Sequence, residues 1–457
     1  MEEHGPGTQK DSAIDRGAPL PTSESRPRVL LLGLDSSARS HHDVTAEESL
    51  DELGLLVDTW GGEVGARLLQ TRPKPDPSWY VGRGKLAEAV ELARASGANT
   101  LATDSELTPG QLRRIEKEVG EAGLDLRVID RTQVILEIFA RRAHSREGRL
   151  EVDLAQAIYA LPRLTGKGLI LSRLGGGTGT RGPGETKLEM DRRHLRQRII
   201  NLKGEIAEVG RQREVQSRTR REGAVPLAAL VGYTNAGKST LFNRLTGADV
   251  LVEDKLFATL DPVVRRLDLP NGQKVLISDT VGFIRKLPHN LVASFRATLE
   301  EVRTADVLIH VIDVSDPSWA EYAGAANSVL VEIEATSAPV IYALNKTDRL
   351  AGGRAAALAD PRAQERARQS RVVALSAVTG DGLDELQAAL SAELAGRRHV
   401  FAFKVPYAQA SLISELHEKG RVLAEVYEAD GVAVKVEIEI SAGRRVEAAL
   451  GQRGRDA

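Results

Sequence analysis

Gly232-Tyr233-Thr234-Asn235-Ala236-Gly237-Lys238-Ser239, followed by Thr240, is the stretch on which the fold turns. It fits the phosphate-loop pattern, with the apolar run Pro226–Val231 before it and the helical pattern Thr240–Leu245 after it. In a strand–loop–helix setting, glycines let backbone N–H groups close around phosphate oxygens, and the helix N-terminus adds its dipole. Lys238 then reaches the β- and γ-phosphates, and the Ser239 hydroxyl is a ligand for Mg²⁺.

Four later segments stand in the order a guanine-nucleotide domain requires. Phe257-Ala258-Thr259-Leu260-Asp261 offers a hydroxyl, Thr259, able to reach Mg²⁺ when a γ-phosphate is present. Asp279-Thr280-Val281-Gly282 ends the apolar strand Val275–Ile277, bringing a carboxylate near the metal and the Gly282 N–H near the γ-phosphate. Asn345-Lys346-Thr347-Asp348 follows the strand Val340–Leu344; Asp348 can accept from the guanine N1–H and exocyclic amine while Asn345 braces the loop. Ser376-Ala377-Val378 follows Val372–Leu375, with a backbone N–H for the guanine O6. These motifs predict GTP and GDP binding with Mg²⁺ held by Ser239 and Thr259, and assign catalytic roles to Lys238, Thr259 and Gly282. The position where small GTPases carry a water-orienting glutamine is Phe283, which has neither donor nor acceptor. Slow intrinsic turnover, stimulated by a partner, is the expectation, and Phe283→Ala is expected to change it little. Asn271-Gly272 makes a hairpin turn, and His289–Val302 reads as the second-switch helix. Residues 224–396 thus read as a doubly wound P-loop GTPase sheet with nucleotide at the carboxyl ends of its strands.

Outward from that segment, the 457-residue chain has no cysteine, 28% charged residues and a net charge of −2. This excludes disulfides, thiol catalysis and cysteine-ligated zinc, and gives no overall steer towards nucleic acid. No apolar run approaches the ~18 residues of a bilayer span. No membrane insertion is expected, and the reading is a cytoplasmic, monomeric protein, with association to a membrane surface left open. The nine histidines show no metal-ligand spacing. Residues 1–27 read as a polar tail. Over 28–130 strands alternate with helices: Val29–Leu34, a helix opened by Thr45 and Glu48 at capping-box spacing, Glu63–Leu69, Lys85–Ala95, Thr100–Thr103, Pro109–Val119 and Leu126–Ile129. A small, mostly parallel α/β subdomain follows from this alternation. Gly82-Arg83-Gly84-Lys85 could seat an anion at a helix start, but a plain tight turn is the reading preferred for so short a signal.

Residues 131–222 read as an antiparallel helical hairpin. Thr132–Arg142 and Leu150–Leu161 are helical, and Leu188, Leu195, Leu202 and Val209, with Ile199 and Ile206, form an a/d seam. Its loop, 174–184, carries six glycines between 175 and 184, ringed by Arg163, Lys167, Arg173, Arg181 and Lys187. Twelve Lys/Arg stand against seven Asp/Glu over 181–222, so a basic face is local here. The residues alone leave two readings open, a solvated flexible tip or a backbone-accessible finger for an anionic RNA crevice. Residues 397–445 form a small α+β module (His399–Val405, Ala408–His417, Val422–Glu428 and Val432–Ile440, the last two joined by Asp430-Gly431), and 446–457 a tail.

Gly179-Thr180-Arg181-Gly182-Pro183-Gly184-Glu185-Thr186-Lys187-Leu188-Glu189, then Asp191-Arg192-Arg193, resembles the HflX family of translational GTPases, as do the three phosphate-side motifs. The resemblance covers about 28–440. It implies an N-terminal α/β subdomain, a helical hairpin, a GTPase domain and a small C-terminal domain. It also implies association with the large ribosomal subunit and its rRNA, with the glycine-rich loop near the peptidyl-transferase centre and Arg173, Arg181, Gly182, Gly184 and Lys187 on RNA. The activity implied is GTP-dependent splitting, or keeping apart, of ribosomal subunits. A ribosome-assembly GTPase would share every nucleotide motif. An ATP-driven RNA remodeller working through the N-terminal unit is the third reading, although that unit has no phosphate loop.

Overall fold

The computed structural model describes residues 26–36, 45–164, 187–222, 225–248, 255–286, 299–336, 338–395, 398–450 and 455–456. The first sheet is built of β1 (Arg28–Asp35), β2 (Glu63–Thr71), β3 (Thr100–Thr103) and β4 (Arg127–Asp130), all parallel, in the order β2-β1-β3-β4. β1 is apolar without alternation because both its faces are covered. Val29 and Leu31 point into one cluster, and Leu30, Leu32 and Leu34 into another. The crossover helices are α1 (Ala46–Trp60), α2 (Arg83–Ser96) and α3 (Pro109–Glu121). Thr45 with Glu48 and Thr108 with Gln111 close capping boxes on α1 and α3, so these helix starts are set locally. Gly61 ends α1 at φ 92°.

Next come α4 (Arg131–Arg142), α5 (Arg146–Ala160) and the long α6 (Lys187–Glu222). α5 and α6 pack antiparallel: Ala157 and Ala160 meet Leu195, while Asp153, a turn earlier, pairs with Arg198 at 2.9 Å. Of the predicted seam, Leu195 and Leu202 are buried, and Leu188, Ile199, Ile206 and Val209 are half-buried. Arg163 is not a free cation beside the loop. It is 6% exposed, 2.8 Å from Glu106, 3.6 Å from Asp130 and bonded to the Leu107 carbonyl. The glycine-rich stretch, with Arg173, Arg181, Gly182 and Gly184, lies outside the described residues; Lys187 opens α6.

The second sheet has the order β10-β9-β8-β5-β7-β6: β5 (Leu227–Gly232), β6 (Val263–Asp268), β7 (Lys274–Asp279), β8 (Val307–Asp313), β9 (Val340–Asn345) and β10 (Arg371–Ala374). Only β6 is antiparallel, turned back on β7 at Asn271-Gly272, where Gly272 takes φ 79°. α7 (Lys238–Thr246) follows β5, so the carboxyl ends of β5, β7, β8 and β9 gather at one edge. Glu300–Arg303 is helical, whereas 287–298, the body of the expected second-switch helix, lies outside the described residues.

A third sheet, antiparallel and ordered β12-β13-β11-β14, is made of β11 (Arg398–Val405), β12 (Arg421–Glu428), β13 (Gly431–Glu439) and β14 (Arg455–Asp456). The sequence reading stops this module at 445, but helix Ile440–Leu450 runs on and β14 pairs with β11. Ala442 and Val446, four residues apart, bury against β11 and β13, and Leu450 continues the stripe. Gly443 masks that amphipathic pattern in the sequence; its missing Cβ leaves room for the Phe401 ring.

The first and second sheets share a core. The cluster holding Leu53, Leu56, Val134, Ile138 and Phe139 also contains Leu256, Phe257, Leu260, Val281 and Ile284. Beside it, Arg131 is 1% exposed and pairs with Glu52 and, at 2.9 Å, with Asp104. Arg131→Met would take from Glu52 and Asp104 their most buried cation, leaving them to the more exposed Arg285 and Lys286. It should lower stability by about 3–5 kcal/mol, read from the urea midpoint, with Glu52→Gln added to the same chain recovering part of the loss.

Candidate nucleotide site

The phosphate loop takes its shape from backbone angles that side chains resist. Gly232 has φ 143°, Asn235 60° and Gly237 93°. A Cβ on Gly232 would strike the Val311 carbonyl, and one on Gly237 the Asn345 side chain. Gly237 is the N-cap of α7 and supplies no side-chain cap, so the first N–H groups of α7 open onto the cleft. The cleft, about 280 Å³, is lined by Thr234, Asn235, Gly237, Lys238, Ser239, Thr240, Phe257, Ala258, Thr259, Thr280, Gly282, Asn345, Lys346, Asp348, Ala377 and Val378. Residues from all five sequence motifs therefore meet in one place. Lys255 and Arg349 also line it, and the motif reading did not include them.

Lys238 is buried, its Nζ 2.7 Å from the Tyr233 carbonyl and 3.2 Å from that of Gly232. Burial pushes its pKa down to about 8, with Asp279 opposing the shift. Three oxygens converge next to it: Ser239 Oγ and Thr259 Oγ1 lie 2.9 Å apart, and they lie 2.7 and 2.9 Å from Asp279 Oδ2. Burial raises the Asp279 carboxyl, and the hydrogen bond from Ser239 and the charge of Lys238 pull it back. Asp279 Oδ1 is buried without a hydrogen-bond partner. A hard-oxygen set with one orphaned carboxylate oxygen suits Mg²⁺, which Ser239 and Thr259 would hold with Asp279 behind them. Among the described residues no group of three or more His, Asp or Glu side chains is placed to hold a metal ion.

At the far end, Asn345 Nδ2 donates to the Ala236 carbonyl at 2.8 Å, and its Oδ1 accepts from the Ala377 N–H at 2.9 Å. One side chain thus ties the phosphate loop to the Ser376-Ala377-Val378 loop. Asp348 Oδ1 accepts from Ser376 Oγ at 2.5 Å, and Lys346, at φ 64°, pairs with Asp313 at 2.7 Å. Thr347 is buried under this loop and does not line the cleft.

Several motif residues point elsewhere. Leu260 and Val281 enter the core shared with the first sheet. Asp261 faces α5: its carboxylate accepts from the N–H groups of His144 (2.9 Å) and Ser145 (2.8 Å) and from Ser145 Oγ. Tyr233 stacks on Tyr322 with centroids 4.5 Å apart, and its hydroxyl donates to Glu52 and accepts from the Arg285 N–H at 2.9 Å. Phe283 is 2% exposed among Ala229, Val231, Leu299 and Val302, and its backbone bonds Gly232 and Thr234 at 3.0 and 2.7 Å. It therefore anchors the segment to the phosphate loop from behind. Arg285 and Lys286, next in the chain, reach Glu52 and Asp104 of the first sheet's layer. The sequence reading did not single out Arg285 and Lys286, and nothing in their spacing points to Glu52 and Asp104.

Four family descriptions match successive stretches of the chain. They are GTP-binding GTPase N-terminal over 47–140, GTP-binding GTPase Middle Region over 142–220, 50S ribosome-binding GTPase over 227–346 and HflX C-terminal domain over 362–456. The chain is 43% identical over 420 residues to a GTPase HflX of Caldanaerobacter subterraneus subsp. tengcongensis, spanning 91% of this chain and 92% of that one. It is 42% identical over 401 residues to GTPase HflX of Escherichia coli strain K12, spanning 87% and 92%. A solved GTP-binding protein from the archaeon Sulfolobus solfataricus, in complex with GDP, is 24% identical with a TM-score of 0.43, spanning 80% of this chain and 98% of that one. By these identities over most of its length, with a GTP-binding region over the phosphate loop, the chain belongs to the HflX family of GTPases.

Proposed function

We propose that the chain hydrolyses GTP to GDP and phosphate, associates with the large ribosomal subunit and its rRNA, and splits or keeps apart ribosomal subunits. The observation that carries the GTPase reading is the convergence of Lys238, Ser239, Thr259, Asp279 and Asp348 on one cleft. Bound Mg²⁺ would neutralise charge on the β- and γ-phosphate oxygens. The rest falls to the chain's own groups. Backbone N–H groups at the start of α7 and the Lys238 ammonium hold the phosphates, and Gly282 leaves room for the γ-phosphate beside Lys238. Asp348 reads the guanine N–H pair, and the Val378 end of the neighbouring loop, past the Ala377 N–H that Asn345 holds, meets its O6. With Phe283 in the core, no side chain from that position orients water, which supports slow intrinsic turnover and a partner that completes the site. The matched description over 227–346, a 50S ribosome-binding GTPase, supports the large subunit as that partner.

Asp348→Asn turns one acceptor oxygen into a donor facing the guanine N–H groups. GTP affinity should fall by at least ~2 kcal/mol, with xanthine nucleotides relatively favoured, in a fluorescent-nucleotide displacement titration. Phe283→Ala acts on packing rather than polar chemistry. It should cost about 3–5 kcal/mol of stability in chemical unfolding while single-turnover hydrolysis per folded molecule stays near wild type.

Ribosome action is tested by GTP hydrolysis and sucrose gradients with purified subunits. Large subunits should raise hydrolysis, and deletion of 175–182 should weaken subunit separation while GTP binding persists. Salt should weaken the ribosome interaction, as phosphate contacts demand. Hydrolysis indifferent to subunits would overturn the partner-activated reading, and equal separation by both proteins would reduce the loop to a connector.

A further inference from the structure

Thr259 is the one hydroxyl of the Mg²⁺ set that does not come from the phosphate loop, and on both sides of it, before β6 begins at Val263, the segment is tied to the first sheet's layer and the start of α5. On the N-terminal side, Leu256 donates its N–H to Thr59 Oγ1 at 3.3 Å. Phe257, at φ 55°, puts its ring edge-on to Phe139 with centroids 4.6 Å apart. On the C-terminal side, Asp261 is bound to the start of α5. Its Oδ2 takes the N–H groups of His144 and Ser145 at 2.9 and 2.8 Å, and its Oδ1 takes Ser145 Oγ. Ser145 is itself the N-cap of α5 and accepts the Gly148 N–H at 2.9 Å. Gly148 is buried, and a Cβ there would press on Asp261 Oδ1 at 2.6 Å, so the carboxylate sits in a cradle shaped for it.

We propose that Asp261 is a positioning residue for GTP hydrolysis: locked onto the Ser145 cap of α5, it holds Thr259 against Asp279 and links the start of α5 to the nucleotide state. This rests on the reading of Thr259 as a Mg²⁺ ligand. Only Leu260 separates Asp261 from Thr259, so the carboxylate's three hydrogen bonds limit how far Thr259 can move from Ser239. Segments of this kind are ordered by γ-phosphate and released on hydrolysis. Movement of Thr259 out of the site would therefore pull on the cap of α5, and loosening of α5 would withdraw Thr259. The coupling is reciprocal by thermodynamic necessity.

The test uses the full chain, with Asp261→Ala, Ser145→Ala and Ser145→Thr compared with wild type. Fluorescent GDP affinity, Mg²⁺ dependence of single-turnover GTP hydrolysis, and amide exchange over 144–150 with GDP or a non-hydrolysable GTP analogue are the readouts. Asp261→Ala should raise the Mg²⁺ half-saturation for hydrolysis about tenfold, the scale of lost charge-assisted hydrogen bonds to one carboxylate. GDP affinity, which does not call on Thr259, should stay within about twofold of wild type. Ser145→Ala should show a smaller effect, since two backbone donors persist, and Ser145→Thr should restore the wild-type Mg²⁺ curve. In wild type the GTP analogue should protect the 144–150 amides more than GDP does, and Asp261→Ala should abolish that difference. Asp261→Ala with a wild-type Mg²⁺ curve and unchanged exchange would overturn the proposal, leaving Asp261 a helix cap. A wild-type chain without Mg²⁺-dependent GTP hydrolysis would overturn the underlying reading as well, and that arm separates the two failures.

Discussion

Two buried carboxylates, Glu52 and Asp104, hold this molecule's halves in register. Their own layer supplies one cation, Arg131, which bridges both. Arg285 reaches Glu52 at 3.3 Å, and Lys286 reaches Asp104, from the segment just past Gly282. Ser49 Oγ donates to Asp104 at 2.7 Å, and the Tyr233 hydroxyl donates to Glu52. Removing charges from water costs several kcal/mol per ion unless each finds partners, so a buried network with a missing member is worse than none. One cation cannot fully satisfy two carboxylates. The first sheet's layer thus carries a deficit that Arg285 and Lys286 of the phosphate-loop unit fill.

That requirement reaches the nucleotide cleft because the supplying residues border it. Phe257 and Lys286 are non-glycine residues at φ 55°, one before Thr259 and one after Gly282. Such conformations cost of the order of 1 kcal/mol or more and persist where surroundings over-determine them. Here the surroundings are the first sheet's layer: Phe139 and its cluster for Phe257, Asp104 and Ser49 for Lys286. Both segments expected to respond to γ-phosphate are therefore held by residues outside the nucleotide-binding unit. The shared core adds Leu256, Leu260, Val281 and Ile284, so hydrophobic burial and ion pairing act on the same two segments.

Much of the fold could be read in the chain because its causes are local. Capping boxes at Thr45 and Thr108 set helix starts within four residues. The continuous apolar run of β1 announced a strand, and Asn271-Gly272 announced a hairpin. Where a residue's role depended on a distant partner, local reading fell short. Arg163 looked like a free cation beside a glycine-rich loop, but Asp130, Glu106 and the Leu107 carbonyl enclose it. Residues past 445 read as a tail because Gly443, Arg444 and Arg445 interrupt the apolar pattern just before them. Packing of Ala442 and Val446 on β11 and β13 keeps the helix running to Leu450.

By itself the sequence determined that a glycine-rich turn between a strand and a helix would cradle phosphate, and that five motifs in order would read a guanine nucleotide. Those features depend on backbone angles and on residues a few positions apart, so spacing carries them. Only the tertiary structure decided what Tyr233, Asp261, Arg285 and Lys286 do. Tyr233 meets Glu52 across 181 positions of chain, Arg285 meets Glu52 across 233, and Asp261 meets Ser145 across 116. No periodicity spans such distances. The partner of a buried charge is chosen by which surfaces pack together, and that choice exists only once the two sheets have closed on one core.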